Sequence, residues 1–253
     1  MTHRLEVRNL QKRFGGVVAV DDVSFTVDAG ECLGLIGPNG AGKTTVFSMV
    51  AGEIESDGGS VVLDGKHIER LHSFQRARFG IARTYQRLEV FPEMTVLDHL
   101  IVAQSAHSGS TGVLRDLRGK GAASKEEIEA SDVVLEQVGL TAHRNEFVGR
   151  LSLGTCRMVE LARALVVEPS VLLADEPSSG LDDYETRAMA DVLASVQQKR
   201  GLAIVLVEHD LAIVAALTSR VVVMDVGRVL AEGPFKETMA NDRVRHAYLG
   251  DHE

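Results

Sequence analysis

The segment GPNGAGKT, residues 37–44, matches the pattern G-x-x-x-x-G-K-[ST] that binds nucleotide phosphates. It follows a short apolar run and precedes a helical pattern, which is the context that this motif requires. Glycines let successive backbone N–H groups point inward, and the N-terminus of the following helix adds partial positive charge. Lys43 can therefore reach the β- and γ-phosphates, Thr44 can ligate Mg²⁺ and Thr45 can contact the α-phosphate. We expect the nucleotide to contact Asn39, Gly40, Ala41, Gly42, Lys43, Thr44 and Thr45. The alternative is a glycine-rich turn before an ordinary helix, with no ligand.

Two adjacent carboxylates end a second apolar run, in VLLADEP. Asp175 and Glu176 have no packing reason to lie there, whereas the ligands of open α/β sheets bind beyond the carboxyl ends of the strands. We expect Asp175 to hold the hydration shell of Mg²⁺ and Glu176 to polarise the attacking water as a general base. The alternative is a pair of solvated acids in a loop.

A histidine follows a third apolar run, in VLVEHD. A lone histidine is more often structural than catalytic, but His209 comes at the end of a strand that the pattern predicts to be parallel to the other two. We therefore expect this side chain to contact the γ-phosphate.

The segment LSLGTCR, residues 151–157, joins serine, glycine and threonine immediately before a helical pattern. In RMVELARALVV the residues Met158, Leu161, Ala162 and Leu165 fall on one stripe, so a helix is predicted to begin near residue 155. Hydroxyls and backbone N–H groups at a helix N-terminus can cap the helix or bind a phosphate. The residues alone leave both possibilities open.

The elements that must position these residues are short strands and connecting helices. The first 30 residues alternate apolar and polar side chains, as half-buried strands do, and VVLDGKHI, residues 61–68, contains an Asp-Gly hairpin signal. The apolar runs at 32–36, 171–175 and 203–207 suit strands that are buried on both faces. Because helical segments separate the later runs, the sequence predicts βα units and a mostly parallel sheet.

The middle of the chain is different. Residues 94–140 lose the strand pattern and gain helical spacing. Residues 107–124 are rich in glycine and serine, and we interpret them as a loop or a mobile insertion. A helical insert is therefore predicted to interrupt the α/β core. The residues predicted to share one helix face in this insert are Ile128, Val133, Val134, Leu135 and Val138.

Composition and charge limit the classes of function. Of the 253 residues, 45% are hydrophobic, which is enough for a full core. The net charge of −9 argues against nucleic-acid binding, which depends on phosphate neutralisation, and Arg76, Arg78, Arg83 and Arg87 form only a modest basic cluster. The two cysteines lie in no metal-ligand spacing and fit a reducing cytoplasm. No apolar run approaches the ~18 residues that span a bilayer, so we expect any membrane role to come through a partner.

Seven segments follow one another along the chain: KRFGG, GPNGAGKTT, RTYQ, LSLGT, VLLADEP, SSGLD and VEHD. A phosphate-binding loop alone marks many unrelated NTPases, but this ordered set is specific and covers nearly the whole chain. It resembles the ATP-binding subunits of ABC transporters. The resemblance implies an α/β P-loop NTPase with a RecA-like core, an N-terminal antiparallel β subdomain and an inserted helical subdomain, which binds ATP and Mg²⁺ and hydrolyses the ATP.

The resemblance assigns further residues to the nucleotide. Phe14 in KRFGG matches the aromatic residue that stacks on adenine, and Val20 would line the same pocket; a core aromatic is the alternative for Phe14. Gln86 in RTYQ matches the residue that senses Mg²⁺ and the attacking water, and an exposed polar residue is the alternative. Asp182 in SSGLD matches the aspartate of the loop that couples two ATP sites, and it also suits the N-cap of the helix that follows.

By the same resemblance, LSLGT binds a phosphate that belongs to a second subunit. Two chains would enclose two ATP molecules head-to-tail, each site combining one P-loop with one LSLGT segment. Ser152, Gly154 and Thr155 would contact the γ-phosphate across the interface, and a plain N-cap is the alternative. The family pattern is Leu-Ser-Gly-Gly-Gln, so Leu153 and Thr155 depart from it, and Gly180 stands in SSGLD where alanine is common.

Three segments resemble the branch that energises uptake of branched-chain amino acids and related polar amides: RFGGVVAVDDVSF, RTYQRLEVFPEMTVLDHLIVA and NDRVRHAYLG. This branch implies a second ATPase subunit, identical or different, two membrane permeases and, indirectly, an extracytoplasmic solute-binding protein. The chain would lie at the cytoplasmic face of the cell membrane, held there by the permeases. Phe91, Met94, Val96 and Leu97 are predicted to line the groove for a permease helix, with ordinary packing as the alternative.

The resemblance further implies one ABC ATPase domain over residues 1–253. The core with its β subdomain would comprise residues 1–88 and 157–230, the helical subdomain residues 89–156, and a tail residues 231–253. A soluble ABC ATPase that acts in assembly or translation is the alternative function, although translation factors of this class usually carry two cassettes and basic arms. A small-molecule kinase would share the P-loop but not LSLGT, SSGLD and VEHD together.

Overall fold

The computed structural model describes residues 3–109 and 123–249 of the chain. Within these residues an N-terminal run of strands is followed by alternating helices and strands. The strands are β1 (Leu5–Phe14), β2 (Val17–Val27), β3 (Cys32–Ile36), β4 (Gly58–Leu63), β5 (Lys66–His67), β6 (Ile81–Thr84), β7 (Val171–Asp175), β8 (Ala203–Val207), β9 (Arg220–Asp225) and β10 (Arg228–Pro234). The α-helices are α1 (Lys43–Ala51), α2 (Ser73–Phe79), α3 (Val96–Ser108), α4 (Lys125–Gln137), α5 (Leu153–Leu165), α6 (Asp183–Arg200), α7 (Leu211–Leu217), α8 (Phe235–Met239) and α9 (Asp242–Leu249), and 3₁₀ turns cover Thr141–His143 and Val148–Arg150.

A six-stranded sheet with the order β10-β9-β3-β8-β7-β6 forms the centre of the molecule. Strands β9, β3, β8, β7 and β6 run parallel, and β10 is antiparallel to β9. Every residue of β3, β7 and β8 is buried, which explains their nearly continuous apolar sequences. The predicted strands and the mostly parallel sheet are confirmed, and the carboxyl ends of β3, β8 and β7 lie side by side.

A second sheet, with the order β2-β1-β4-β5, is antiparallel throughout. Asp64 and Gly65 connect β4 to β5 with φ angles of 47° and 75°, which is the left-handed backbone that a tight hairpin turn requires. The predicted Asp-Gly hairpin is therefore confirmed. Residues of this sheet such as Leu5 and Phe25 share one hydrophobic core with Phe47 of α1, so the β subdomain packs directly on the helix that follows the phosphate-binding loop.

Helices α3, α4 and α5 share one hydrophobic core with α6 and with one face of the central sheet, including residues of β7 and β8. In α4, Val134, Leu135 and Val138 are buried, but Val133 is 53% exposed and Ile128 is only half-buried. The prediction that Val133 lies on the buried face is wrong, because each residue turns by about 100° and Val133 lies about 200° around the helix from the fully buried Leu135. The buried stripe of α4 is narrower than the apolar pattern suggests.

The predicted loop at residues 107–124 begins later than expected, since α3 continues to Ser108. A left-handed glycine, Gly109, ends that helix with φ 68°. The rest of the predicted loop, residues 110–122, lies outside the described residues.

The C-terminal helix α9 packs against the central sheet. Val244 is fully buried and Tyr248 lies against the same cluster, which includes Ile36 at the end of β3. The predicted boundaries at 156/157 and 230/231 fall inside α5 and β10, and the division into subdomains remains a prediction. No helix in the described ranges is both long and apolar enough to cross a membrane.

Candidate active site

Residues 37–42 form the loop between β3 and α1, so the expected strand–loop–helix context is present. Gly40 and Gly42 have φ angles of 82° and 99°, and a Cβ on Gly42 would lie 2.5 Å from the backbone oxygen of Ala19. Gly42 is also the N-cap of α1 and offers no side chain to cap it. The N–H groups of the first helical turn can therefore bind a phosphate.

Lys43 is buried, and its Nζ donates hydrogen bonds to the backbone oxygens of Gly37 at 2.7 Å and Pro38 at 2.9 Å. Burial lowers the pKa of Lys43, while the charges of Glu176 and Asp175 act in the opposite direction. The ammonium group thus lies inside the loop and close to both acidic residues. A nucleotide phosphate can replace the two carbonyl groups as its partner.

The Glu176 carboxylate lies between Gln86 and His209. Nε2 of Gln86 donates to Oε2 of Glu176 at 2.6 Å, and Nε2 of His209 lies 2.7 Å from Oε1 and must carry a proton to donate to it. Glu176 has a φ angle of 47°, which is unusual for a residue with a Cβ and recurs at functional sites. Its N–H donates to the oxygen of Val207 at 2.9 Å, which fixes the turn after β7 against β8. The three residues predicted to be catalytic are therefore in contact.

Asp175 is buried at the end of β7, and its Oδ2 accepts a hydrogen bond from Nη2 of Arg83 at 2.7 Å. Burial raises the pKa of Asp175, and the Arg83 guanidinium opposes that shift. Thr44 is exposed at the start of α1, and Gln86 keeps its amide oxygen as an acceptor. Hydroxyl, carboxylate and amide oxygens fit Mg²⁺, which takes few protein ligands when nucleotide phosphates supply the others. Within the described residues, His, Cys, Asp and Glu form no cluster of three or more that could hold a metal unaided.

A cavity of about 350 Å³ joins these features. Its lining comprises residues 17–19, residues 39–45, Glu176, His209 and Val226. A nucleotide can therefore extend from the N-terminal strands to the catalytic residues.

Val20 does not line this cavity, so that prediction is wrong. Its side chain is fully buried in the core. The pairing of β1 with β2 shifts register between Lys12 and Arg13, and this irregularity disturbs the alternation of side chains. Phe14 does not line this cavity either, and its contact with adenine stays a prediction. It is 50% exposed and pairs with Val17 of the cavity wall, so the alternative of a core aromatic does not hold.

The predicted residues of the LSLGT segment lie at the start of α5 and do not line the cavity around the P-loop. Ser152 is the N-cap, and its Oγ accepts from the N–H of Thr155 at 3.2 Å, so the capping role is observed. A Cβ on Gly154 would lie 2.3 Å from Oε1 of Glu185, so a larger residue here would have to displace the Glu185 side chain. Asp182 likewise caps α6, with Oδ1 accepting from the N–H groups of Tyr184 and Glu185 at 2.8 Å each.

The sequence profile of the ABC transporter family matches residues 20–179. The chain belongs to this family. It is 39% identical over 250 residues to the high-affinity branched-chain amino acid transport ATP-binding protein LivG of Salmonella typhimurium, covering 98% of both chains. It is 38% identical over 250 residues to BraF of Pseudomonas aeruginosa, which carries the same description, again covering 98% of both chains.

A solved ABC transporter cassette in its ADP conformation has the same fold. It superposes with a TM-score of 0.87 and 30% identity, over 99% of this chain and 100% of the other. The predicted α/β P-loop NTPase with an antiparallel β subdomain is confirmed. This ABC protein is an ATPase that binds nucleotide.

The sequence motifs assigned no role in this ABC ATPase to Arg157, the residue that ends LSLGTCR. Nη2 of its buried side chain donates to the oxygen of Gln86 at 2.6 Å and to that of Ser179 at 3.5 Å. Nη1 donates to the oxygen of Tyr85 at 2.9 Å and to Glu160 at 3.0 Å. One side chain therefore joins the start of α5 to RTYQ and to SSGLD.

Glu208 was missed altogether, although it stands beside His209 in VEHD. One carboxylate oxygen accepts from both the N–H and the hydroxyl of Ser178, at 2.9 and 2.7 Å. Burial raises the pKa of Glu208, and the bonds from Ser178 act against that shift. The available signal was an acid immediately after a buried strand, the same signal that identified Asp175.

The residues predicted to line a permease groove in this ABC subunit need correction. Val96 is fully buried in the core that the helical insert shares with the central sheet, because it faces inward at the start of α3. Phe91 is 57% exposed and remains a candidate. A separate cavity of about 370 Å³ lies between the core and the insert, where Phe74, Tyr85 and Arg163 line part of it.

Proposed function

We propose that this chain powers a membrane importer for branched-chain amino acids or a related small polar solute by binding and hydrolysing ATP. The observation that carries the catalytic part is the Glu176 carboxylate, which Gln86 and His209 hold beside the P-loop cavity. The similarity to LivG and BraF supports the importer and its class of solute.

The phosphates of ATP would bind the N–H groups of residues 39–45 and the ammonium of Lys43. Thr44, Asp175 and Gln86 would hold Mg²⁺, which neutralises charge on the phosphates. Glu176 would accept a proton from the attacking water, and His209 would contact the γ-phosphate. Phe14 would stack on the adenine from the exposed end of β1.

A second ATPase subunit, identical or different, would complete each site. Ser152, Gly154 and Thr155 lie at the positive end of α5 but away from the P-loop cavity of the same chain. Such a helix end can bind the γ-phosphate of ATP held by the partner. Asp182, at the start of α6, would then couple the two sites.

The permeases would dock between the core and the helical insert. The cavity of about 370 Å³ there has an aromatic and basic lining that includes Phe74, Tyr85, His107 and Arg163. Tyr85 precedes Gln86, so this docking surface lies one residue from the catalytic residues. Permeases in this position would hold the chain at the cytoplasmic face of the membrane, with a solute-binding protein acting from the other side.

Uptake in the source organism tests this function. After deletion of the gene, we expect uptake of radiolabelled leucine, isoleucine and valine to fall. The wild-type chain should restore it and Glu176→Gln should not. Glu129→Gln, an exposed carboxylate on α4, is the matched control and should behave as wild type. Unchanged uptake in the deletion strain would exclude branched-chain amino acids as the solute.

A second measurement distinguishes an importer subunit from a soluble ABC ATPase that acts in assembly or translation. Tagged Glu176→Gln chain is purified with ATP from detergent-solubilised membranes, and the co-purifying peptides are identified. Two polytopic permeases and a sibling ATPase are expected. If only soluble proteins co-purify, the chain is an ABC ATPase of an assembly or translation machine.

A further inference from the structure

The Arg83 side chain is buried at the end of β6, with 7% of its surface exposed. Its Nη2 donates to Oδ2 of Asp175 at 2.7 Å. Its Nη1 donates to Glu53 at 2.6 Å and to Oγ of Ser48 at 3.0 Å. Arg83 therefore links the acidic end of β7 to α1, the helix that begins at the P-loop.

Two aromatic rings hold the guanidinium in place. Its carbon lies 5.7 Å from the ring centre of Phe47 and 5.2 Å from that of Tyr85. The Nε atom is buried and has no hydrogen-bond partner among the described residues. Burying a guanidinium with an unsatisfied donor costs free energy, so packing alone does not explain an arginine here.

The geometry leaves one oxygen of Asp175 available. Arg83 donates to Oδ2, and no residue in the described part of the chain donates to Oδ1. The backbone N–H of Asp175 is held by Oγ1 of Thr84 at 3.3 Å. Because Glu53 balances the charge of Arg83, the arginine repels a nearby cation less than an unpaired one would.

We propose that Arg83 is a positioning residue that fixes the Asp175 carboxylate in the orientation that Mg²⁺·ATP requires. Oδ2 is anchored by Arg83, and Oδ1 faces the water shell of the metal. The inference rests on the proposed function, in which Asp175 serves the metal. Residues of this kind hold metal ligands in place without touching the metal.

The test compares the Kd for ATP in EDTA with the Kd for ATP in excess Mg²⁺, using the full chain. The wild-type chain should bind ATP more tightly with Mg²⁺. Arg83→Gln should reduce that preference about tenfold and leave the Kd in EDTA within about threefold of wild type. Arg83→Lys keeps the charge but not the fork of donors, so its loss should be smaller. Arg243→Gln, on the surface of α9, is the matched control.

A double variant decides whether Arg83 acts through Asp175. Asp175→Asn should also weaken the Mg²⁺ preference, and Arg83→Gln/Asp175→Asn should weaken it no further. An unchanged preference in folded Arg83→Gln overturns the inference. A stronger preference also overturns it, because the arginine would then compete with Mg²⁺ for the carboxylate.

A second variant and a wild-type measurement separate failure of this inference from failure of the proposed function. If Arg83→Gln does not fold, Glu53→Gln removes the second ion pair of Arg83 without touching Asp175, and we expect a smaller loss of the Mg²⁺ preference. An unchanged preference in that variant overturns the inference. If the wild-type chain shows no Mg²⁺-dependent ATP binding, the proposed function fails instead.

Discussion

Nε2 of His209 lies 2.7 Å from Oε1 of Glu176, and the two residues follow neighbouring strands of the central sheet. Gln86 holds the other oxygen of the same carboxylate from the end of β6. The Glu176 carboxylate, which we propose as the general base, is therefore oriented from both sides. Three segments that are distant in sequence meet here because β6, β7 and β8 are adjacent and parallel.

Replacing the general base tests this arrangement. Glu176→Gln should lower the rate of ATP hydrolysis by about 100-fold or more, because proton transfer from water loses its acceptor. The Kd for ATP should change little, since the P-loop is untouched. The variant should also form a dimer in ATP and Mg²⁺ on size exclusion, with Glu129→Gln as the control. A Glu176→Gln chain that stays monomeric would count against the shared sites.

Replacing the buried ammonium tests the P-loop. Lys43→Ala should lose measurable ATP binding, because the γ-phosphate then lacks its main positive partner. Binding is measured by titration with a fluorescent ATP analogue. Lys236→Ala, on an exposed part of α8, should bind as wild type. Micromolar affinity in Lys43→Ala would exclude the assignment of this loop.

A buried histidine gives a pH dependence of stability. Nε2 of His99 accepts from the N–H of Phe91 at 2.9 Å, and Nδ1 lies 2.8 Å from the oxygen of Thr95, so the ring fits in its neutral form. Burial lowers the pKa of His99, with a smaller contribution in the same direction from Arg163. The folded state thus binds fewer protons than the unfolded state below the ordinary pKa of about 6.5. The stability that this group contributes is complete above that pH and is lost as the pH falls toward the lower, folded pKa.

Urea unfolding between pH 7.5 and 5.5 measures this effect. His99→Gln should reduce the pH dependence of the free energy of unfolding, while lowering stability by about 1–3 kcal/mol because the glutamine amide does not reproduce both hydrogen bonds of the buried ring. His67→Gln, an exposed histidine, is the control and should keep the wild-type slope. Identical slopes for His99→Gln and wild type would contradict the argument.

Two of the three departures from the family pattern, Gly180 and Leu153, lie against each other. Gly180 has a φ angle of 82°, and a Cβ there would lie 3.0 Å from Cδ2 of Leu153. Gly180→Ala should destabilise the chain by about 1 kcal/mol, partly from the left-handed backbone and partly from this contact. In a Leu153→Gly background the contact disappears, so the cost should fall by about 0.5 kcal/mol. Additive free energies of unfolding for the four proteins would show that the two positions are independent.

Much of the fold follows from local pattern, and the exceptions have physical causes. The buried strands, the hairpin at Asp64 and the glycine-rich loop each carry their signal within a few residues. The pair of Arg83 with Asp175 joins residues 92 positions apart, which no local pattern reveals. Val20 was assigned to the nucleotide by resemblance alone, and its full burial in the core depends on strand pairing that the resemblance did not include.

The contacts of the P-loop with the N-terminal strands have a further consequence. The N–H of Gly227 donates to the backbone oxygen of Ala41 at 3.1 Å, and the backbone oxygen of Gly227 accepts from the N–H of Asp21 at 2.8 Å. Gly42 lies directly against Ala19. The end of the β1–β2 hairpin that carries Phe14 is thereby held at a fixed distance from the loop that precedes Lys43. A ligand that contacts Phe14 and Lys43 at the same time must therefore match this distance in length, as well as match the site in charge.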